Sequence, residues 1–289
     1  MGEKRKNFLV RTITGILFVA VMVTSFISPT TMVLLFTLIT GMTVWEFCGL
    51  VNQYEDVETN RFISTIAAVY FFLAMAWFRT GMAPSYVFIP YLITLVYLFV
   101  SEIYLKNPNP LNNWAYTMLG QMYIALPFST INLLAFQPSG GESSSPIVFQ
   151  WIVPLSVFIF LWLNDTGAYC VGSLFGRHRL IERISPKKSW EGSIGGAVVV
   201  MIASSLIGHY ANNSGIYQGM NIMEWLGLGL VVVIFGTWGD LVESLFKRTL
   251  GIKDSGNILP GHGGMLDRFD SSLMAIPAAV VYLFSIMFF

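Results

Sequence analysis

The stretch EWLGLGLVVVIFGTWGDL, residues 224–241, is apolar between an acid at its start and a second acid, Asp240, near its end. A helix needs about 20 mostly apolar residues to cross a bilayer, so this stretch predicts a membrane-spanning helix. Further stretches of the same character lie near residues 8–27, 31–51, 62–79, 85–105, 114–135, 149–164, 193–210 and 271–289. The sequence therefore predicts an all-α, polytopic membrane helical bundle of about nine transmembrane helices.

The composition supports this prediction. Of the 289 residues, 55% are hydrophobic and 11% are charged, whereas a soluble domain carries about 25% charged residues. No soluble domain fits between the predicted helices, so we expect residues 1–289 to form a single integral-membrane domain. Within it, we expect an N-terminal helical region at 1–150 and a catalytic helical region at 151–289. The first apolar stretch has no clear cleavage site and is expected to be a retained helix.

The distribution of charge predicts the orientation. The first four basic residues lie before or at the start of the first predicted helix, which places the N-terminus in the cytoplasm. Alternation across nine helices then puts 15 of the 16 Lys and Arg residues on the cytoplasmic side, with only Arg79 opposite. The protein is therefore predicted to be an integral protein of the inner membrane. Its segments 165–192 and 240–270 are both predicted to lie on the cytoplasmic side. The net charge is zero, and no nucleic-acid partner is predicted.

A first polar group follows the stretch quoted above. If that helix continues beyond Gly239, then Asp240, Ser244, Lys247 and Arg248 lie at positions i, i+4, i+7 and i+8, on one face. A carboxylate, a hydroxyl and two cations on one face can hold a metal ion together with a polyphosphate. The alternative is an ordinary interfacial helix end, from which the two cations extend into the cytoplasm.

A second acidic pair precedes the last predicted helix. Asp267 and Asp270 share a face when helical, and the dipole at a helix start favours carboxylates there. The alternative reading is an N-terminal cap. Oxygen ligands without a His or Cys set suit Mg²⁺, which binds a few carboxylates and substrate phosphates. We therefore predict that Asp240, Asp267 and Asp270 hold one or two Mg²⁺ ions, and the sequence leaves open a second, monovalent cation.

Two further segments have features of phosphate-binding sites. In the turn His262-Gly263-Gly264, glycines allow backbone N–H groups to approach phosphate oxygens, while His262 could bind phosphate, donate a proton or cap the turn. Segment 185–192, SPKKSWEG, leads into a helix start and suits an anionic group. Membrane anchoring would explain Lys187 and Lys188 equally well.

Three acids inside or beside predicted helices are left to explain. Asp165 lies where the helix predicted at 149–164 is expected to end, close to the membrane boundary. Anchoring by positive charge does not explain this acid. Glu46 and Glu102 lie within or at the ends of predicted helices, and for both the favoured role is structural, by pairing inside the bundle or at an interface.

Segment 244–270, SLFKRTLGIKDSGNILPGHGGMLDRFD, resembles throughout the signature of the phosphatidate cytidylyltransferases, also called CDP-diglyceride synthetases. Segments 165–169 and 185–192 also resemble this family, whereas the first 150 residues match only as a helical membrane region. The resemblance implies a Mg²⁺-dependent reaction at the bilayer in which CTP and phosphatidic acid give CDP-diacylglycerol and pyrophosphate.

With this resemblance, the residues above acquire expected roles. The expected catalytic residues are Asp240, Lys247, Asp267 and Arg268. The expected substrate-binding residues are Asp165, Ser185, Lys187, Lys188, Ser244, Arg248, Lys253, His262, Gly263 and Gly264. The sequence leaves open whether the protein is a monomer or a homodimer.

Two other functions compete with this reading. A CTP-dependent lipid kinase shares the multi-helix plan and the acidic motifs, but it would transfer the γ-phosphate to an alcohol. A transporter for an anionic metabolite would place its polar residues near the bilayer midplane, in paired broken helices. The polar residues of this chain instead gather at one predicted face, and no repeat is evident.

Overall fold

The computed structural model describes residues 3–139, 146–256, 258 and 263–288, with side chains from Val10 to Met287. The helices are α1 (Glu3–Ser25), α2 (Pro29–Val51), α3 (Arg61–Arg79), α4 (Ile89–Leu105), α5 (Pro110–Gly120), α6 (Leu126–Ala135), α7 (Ile152–Phe175), α8 (Trp190–Asn213), α9 (Ile222–Thr249) and α10 (Leu266–Phe288). A 3₁₀ turn, Ser85–Phe88, precedes α4, and a π-helical turn, Gln121–Ala125, joins α5 to α6. Two short antiparallel hairpins complete the described structure: β1 (Phe136–Pro138) with β2 (Ile147–Phe149), and β3 (Arg179–Ile181) with β4 (Ser185–Ser189).

Among the residues that the structure describes, eight helical segments are long and apolar enough to cross a membrane, and α1 contributes a shorter apolar helix, Val10–Ser25. Each of these segments overlaps one of the nine predicted ones, although some bounds differ, and the prediction of a polytopic helical membrane protein is confirmed. Several starts follow from local sequence. Ser28 caps α2 ahead of a proline at its first turn, and Asn109 does the same for α5.

The predicted end of the sixth helix is wrong. Helix α7 does not stop near Asp165 but continues to Phe175, so Asp165 lies inside the helix. The polar residues there stay helical because Thr166 donates its hydroxyl to the Trp162 carbonyl within α7 and Gly167 packs on Gly196 of α8. The connection to α8 is therefore residues 176–189, and it contains the β3–β4 hairpin rather than an extended loop from 165 to 192.

Asp240 was predicted to share a helical face with Ser244, Lys247 and Arg248 if its helix continued beyond Gly239, and this condition is met. Helix α9 is 28 residues long and runs ten residues beyond Gly239, so the polar face from Asp240 to Arg248 is helical. Helix α10 begins at Leu266, earlier than predicted, so Asp267 and Asp270 are both helical residues.

The chain forms two compact units. Unit 1 comprises Met1–Asn132 and Thr249–Phe269, and unit 2 comprises Leu133–Arg248 and Asp270–Phe289. In unit 1, α2 packs along α3, and α3 contacts α4. In unit 2, α7 and α8 pack along most of their lengths. The single domain with regions 1–150 and 151–289 stays a prediction.

Unit 1 has an aromatic core that includes a residue of the signature. Phe128 lies edge-on to Phe269, with ring centroids 5.5 Å apart, and Phe269 also contacts Phe18 at 5.7 Å. Phe269 is fully buried. The phenylalanine between the two signature aspartates is thus a packing residue that fixes the start of α10 in unit 1.

The close approach of α7 and α8 gives a first prediction. A Cβ added at Gly196 would lie 2.5 Å from the Asn164 Oδ1 and 2.7 Å from the Asn164 carbonyl oxygen. Because backbone cannot yield as a flexible side chain does, Gly196→Ala is expected to destabilise the protein by about 1–3 kcal/mol. The measurement is the thermal unfolding midpoint in detergent. Val198→Ala, on the exposed face of the same helix, is the control and should change the midpoint little. Equal midpoints for both variants would contradict the packing argument.

Candidate active site

A polar cavity of about 270 Å³ lies inside unit 2, among α7, α8, α9 and strand β4. Helix α7 contributes Asn164, Asp165 and Tyr169, while the end of the hairpin contributes Lys187, Lys188 and Ser189. Helix α8 adds Ser193, and α9 adds Thr237 and Asp240. The structure thus brings four predicted site residues, Asp165, Lys187, Lys188 and Asp240, to one cavity.

Asp240 and Lys188 form the main ion pair of this cavity. The Lys188 Nζ lies 2.5 Å from the Asp240 Oδ2, and both side chains are 27% exposed. The other carboxylate oxygen, Oδ1, accepts a hydrogen bond from the Ser244 hydroxyl at 3.1 Å. The predicted shared face of Asp240 and Ser244 is therefore confirmed, and a cation from β4 already lies against this carboxylate.

Asp270 of α10 lies in the same electrostatic environment as Asp240, Asp165 and Lys188. The negative charges of Asp240 and Asp165 act on the Asp270 carboxylate, and the Lys188 ammonium opposes them. Aspartates from α7, α9 and α10 thus share one region of unit 2. Among the described residues, no three or more His, Cys, Asp or Glu form a complete metal site. An acidic region with oxygen donors but an incomplete protein ligand set fits Mg²⁺, which keeps waters and substrate phosphates as ligands.

The hairpin that carries the two lysines is tied to the start of α8. Ser189 caps α8 by accepting the Gly192 N–H at 3.2 Å. The Glu191 carboxylate accepts backbone N–H groups of Arg177 and His178, at 3.1 and 3.2 Å, and contacts His178 Nδ1 at 2.5 Å. These contacts hold β4 at a helix N-terminus, where Lys187 is exposed and Lys188 points to Asp240.

Lys247 has a partner that the sequence reading did not consider. Its Nζ lies 2.6 Å from the Glu243 carboxylate, whose side chain is fully buried. A buried carboxylate needs a cation or hydrogen-bond donors beside it, so part of the role of Lys247 is to satisfy Glu243. The spacing of four residues on a helix was the signal that could have identified this pair. Arg248, the next cation, is exposed.

The connection between α9 and α10, residues 250–265, is called the signature loop below. In unit 1, this loop is held by Glu46 of α2. The buried Glu46 carboxylate accepts backbone N–H groups of Met265 and Leu266, at 2.9 and 3.1 Å, and the Ser255 hydroxyl. Because the first N–H groups of a helix have no partner within it, Glu46 acts as an N-terminal cap for α10 from another helix. The structural role favoured for Glu46 is confirmed, although its partners were not predicted.

Asp267 holds the same loop from the other side. Its Oδ2 accepts the N–H groups of Ser255 at 2.8 Å and Gly264 at 2.9 Å. Both donors precede Leu266, the first residue of α10, so this contact holds the loop and differs from the N-terminal cap considered as the alternative for this residue. Its assignment as a metal ligand stays a prediction.

Three glycines of the signature are explained by these two carboxylates. A side chain at Gly264 would overlap the Glu46 carboxylate, and one at Gly256 would lie 2.8 Å from the Glu46 Oε2. Gly263 has a φ of +83°, and a Cβ there would overlap the Asp267 carboxylate. These three glycines therefore make room for the anchors of the loop, whereas the predicted contact of Gly263 and Gly264 with phosphate stays a prediction.

The remaining candidates are dispersed. Lys253 and Arg268 are exposed in unit 1, and Ser185 is half-buried at the start of β4 in unit 2. His262 lies outside the described residues. Glu102 is buried and accepts the side-chain amides of Asn107 and Asn113, at 3.1 and 3.0 Å, which confirms its structural role.

Comparison with known proteins gives a consistent result. The model of the cytidylyltransferase family matches residues 9–286. A phosphatidate cytidylyltransferase of Staphylococcus aureus (strain COL) is 31% identical over 271 residues, covering 93% of this chain and 96% of the relative. The protein of that name from Staphylococcus saprophyticus is 31% identical over 96% of this chain and 99% of its own length. That from Haemophilus influenzae is 41% identical over 133 residues, which are 46% of each chain.

Proposed function

The chain belongs to the cytidylyltransferase family, and from this premise we propose how its residues catalyse the transfer of CMP from CTP to phosphatidic acid. The products are CDP-diacylglycerol and pyrophosphate, so the protein is a nucleotidyltransferase of phospholipid synthesis. The observation that carries the mechanism is the cavity of unit 2, which Lys187, Lys188 and Asp240 line and in which Lys188 pairs with Asp240. Two cations and a carboxylate beside membrane helices suit a reaction between a lipid phosphate and a nucleotide triphosphate.

In the proposed reaction, an oxygen of the lipid phosphate attacks the α-phosphorus of CTP. A new P–O bond forms there, the bond from the α-phosphorus to the bridging oxygen breaks, and pyrophosphate leaves with that electron pair. The lipid phosphate is already ionised near neutral pH, since its second pKa is about 6, so no general base is needed. Catalysis then consists mainly of charge neutralisation and alignment.

The residues divide this work by charge. Lys187 and Lys188 bind a substrate phosphate at the N-terminus of α8, where backbone dipoles also favour an anion. When the substrate binds, Lys188 transfers its contact from the Asp240 carboxylate to the phosphate. Arg248 of unit 2 is proposed to offset charge on the leaving pyrophosphate, while the catalytic and substrate-binding roles of Lys247, Lys253 and Arg268 stay predictions from the resemblance.

Asp240 and Asp270 are the residues proposed to hold Mg²⁺, and Asp165, whose charge also acts on Asp270, is proposed to assist them. When bound, Mg²⁺ neutralises phosphate charge and aligns the phosphates. The active site is proposed to face the cytoplasm, because CTP is a soluble cytoplasmic anion and the basic residues are predicted on that side.

Removal of divalent cations gives a second prediction. Chelation is expected to reduce turnover by at least about 10²-fold, the scale on which charge stabilisation of phosphoryl transfer acts. Added Mg²⁺ should restore turnover. A binding readout independent of turnover is the thermal midpoint in Mg²⁺ without nucleotide, which should rise for the wild type and less for Asp270→Asn. Full turnover in excess chelator would contradict the metal proposal.

The soluble product separates this function from its closest rival. Purified protein with CTP, phosphatidic acid and Mg²⁺ should release one pyrophosphate for each CDP-diacylglycerol formed. Release of CDP with a newly phosphorylated alcohol would instead indicate a lipid kinase.

A further inference from the structure

A second cleft lies beside the polar cavity in unit 2 and differs from it in chemistry. It measures about 360 Å³ and is lined mainly by apolar side chains, among them Leu180 and Ile181 of β3, Trp190 of α8, and Val233, Ile234 and Trp238 of α9. None of the described residues that line it carries a charge. The reaction proposed above gives this cleft no role.

The two spaces are adjacent and share part of their walls. Ser193 of α8 and Thr237 of α9 line both the polar cavity and the apolar cleft. One turn of α9 therefore has Asp240 in the polar space and Trp238 in the apolar one, with Thr237 at the junction. A ligand that extends from one space into the other must be anionic at one end and apolar at the other.

The rim of the cleft is open to its surroundings. Trp190 and Trp238 are more than half exposed, and Ile234 is 39% exposed. Both α8 and α9 are long and apolar enough to cross a membrane, so we expect these exposed apolar side chains to face lipid. Tryptophan is favoured near the level of the lipid headgroups, which is the depth at which a phosphate and its acyl chains join.

We propose that this cleft binds an acyl chain of the lipid substrate while the substrate phosphate lies in the polar cavity near Lys188. This proposal rests on the proposed function and adds the recognition of the chain to it. The Thr237 hydroxyl lies at the junction, where it can donate a hydrogen bond to an ester carbonyl of the glycerol backbone, whereas the Ser193 hydroxyl donates to the Ser189 carbonyl. The cleft thereby aligns the lipid phosphate and selects among acyl chains by shape.

The shape of the cleft, rather than the free energy of moving an acyl chain out of the bilayer, determines the expected effect on the lipid substrate. An acyl chain that leaves the bilayer for the cleft exchanges one apolar environment for another, so its transfer supplies little free energy. Filling the cleft should therefore displace the chain and misplace the phosphate. The effect should fall on the lipid substrate and spare the nucleotide.

The test uses Ile234→Trp, which fills the cleft from its open side, and Leu230→Trp as a matched control. Leu230 is exposed on the same helix and does not line the cleft. Both are assayed in mixed micelles with phosphatidic acid carrying two long chains or two six-carbon chains. Ile234→Trp is expected to raise the KM for the long-chain lipid at least about tenfold, with little change in the KM for CTP or for the short-chain lipid. Leu230→Trp should leave all three values near those of the wild type.

A second measurement separates a substrate site from a surface wetted by bulk lipid. Wild-type protein is photolabelled with a phosphatidic acid that carries a diazirine on one acyl chain, and the labelled residues are identified by mass spectrometry. Label on Trp190, Ile234 or Trp238 that unlabelled phosphatidic acid displaces, and phosphatidylcholine does not, would support the proposal. Equal displacement by both lipids, or equal kinetics of the two tryptophan variants, would overturn it. If the wild type forms no CDP-diacylglycerol from either lipid, the proposed function itself fails.

Discussion

Asp240→Asn is expected to abolish cytidylyl transfer, with a fall in kcat of about 10³-fold, while the protein stays folded and inserted. The substitution removes one negative charge and almost no volume. The asparagine carbonyl oxygen can still accept the Ser244 hydroxyl, which bonds the Asp240 Oδ1 in the wild type. The change therefore tests charge, and a preorganised electrostatic contact in an active site contributes on the order of 10²–10³ in kcat.

Two matched variants separate this charge from its neighbours. Ser244→Ala removes the hydroxyl that bonds Asp240 and should lower kcat much less. Lys188→Gln removes the cation 2.5 Å from Asp240 and should mainly raise the KM for a phosphate substrate. The measurements are kcat and KM for both substrates, with thermal midpoints to verify folding. An Asp240→Asn variant that keeps more than a tenth of the wild-type kcat would contradict its assigned role.

Glu46→Gln is expected to give the second large effect, on both stability and turnover. The two Glu46 oxygens accept three donors from the signature loop, and glutamine has one acceptor oxygen and one donor amide. At least one donor loses its partner, and a buried unsatisfied group costs about 1–3 kcal/mol. Because the loop leads directly into α10, we expect kcat to fall about 10²-fold even at temperatures where the variant remains folded.

The control is Glu102→Gln, a substitution of the same kind at a second buried carboxylate on a membrane helix. Glu102 accepts hydrogen bonds from the side-chain amides of Asn107 and Asn113 and not from the signature loop. The Glu102→Gln variant should therefore be less stable than the wild type but keep its kcat. Trypsin supplies a local readout, because Lys253 in the loop is exposed. Cleavage after Lys253 should be faster in Glu46→Gln than in Glu102→Gln. Equal kcat and equal cleavage in the two variants would contradict the anchoring role of Glu46.

The helices were predictable from sequence because each membrane span is a local apolar pattern. The end of α7 was not, because the polar residues from Asn164 to Thr166 are typical of a helix end in isolation. They remain helical through contact with Gly196 and the polar cavity, and neither is visible in the local sequence. The continuation of α9 beyond Gly239 was considered only as a condition, because the polar residues of its last turns fit both a helix and a loop.

The site was predictable as a set of residue types and less so as a set of contacts. Asp240, Asp165 and Lys188 were candidates because charge is rare in this chain, and the structure brings them together. Ser255, one of the partners of Glu46, lies 209 residues away in the sequence. A single sequence does not show which residues so far apart come into contact. The signature glycines were assigned to phosphate binding, whereas the space that they provide for Glu46 and Asp267 depends on the fold.

The central claim is that the chain transfers the nucleotidyl group, and it is tested by following each phosphate of CTP separately. Purified protein in phosphatidic acid micelles is given CTP labelled on the α-phosphate, and in a parallel reaction CTP labelled on the γ-phosphate. The account predicts that the α-label enters the lipid fraction as CDP-diacylglycerol and that the γ-label appears in pyrophosphate, in equal amounts. Entry of the γ-label into the lipid fraction, or movement of neither label by the folded protein, would contradict it.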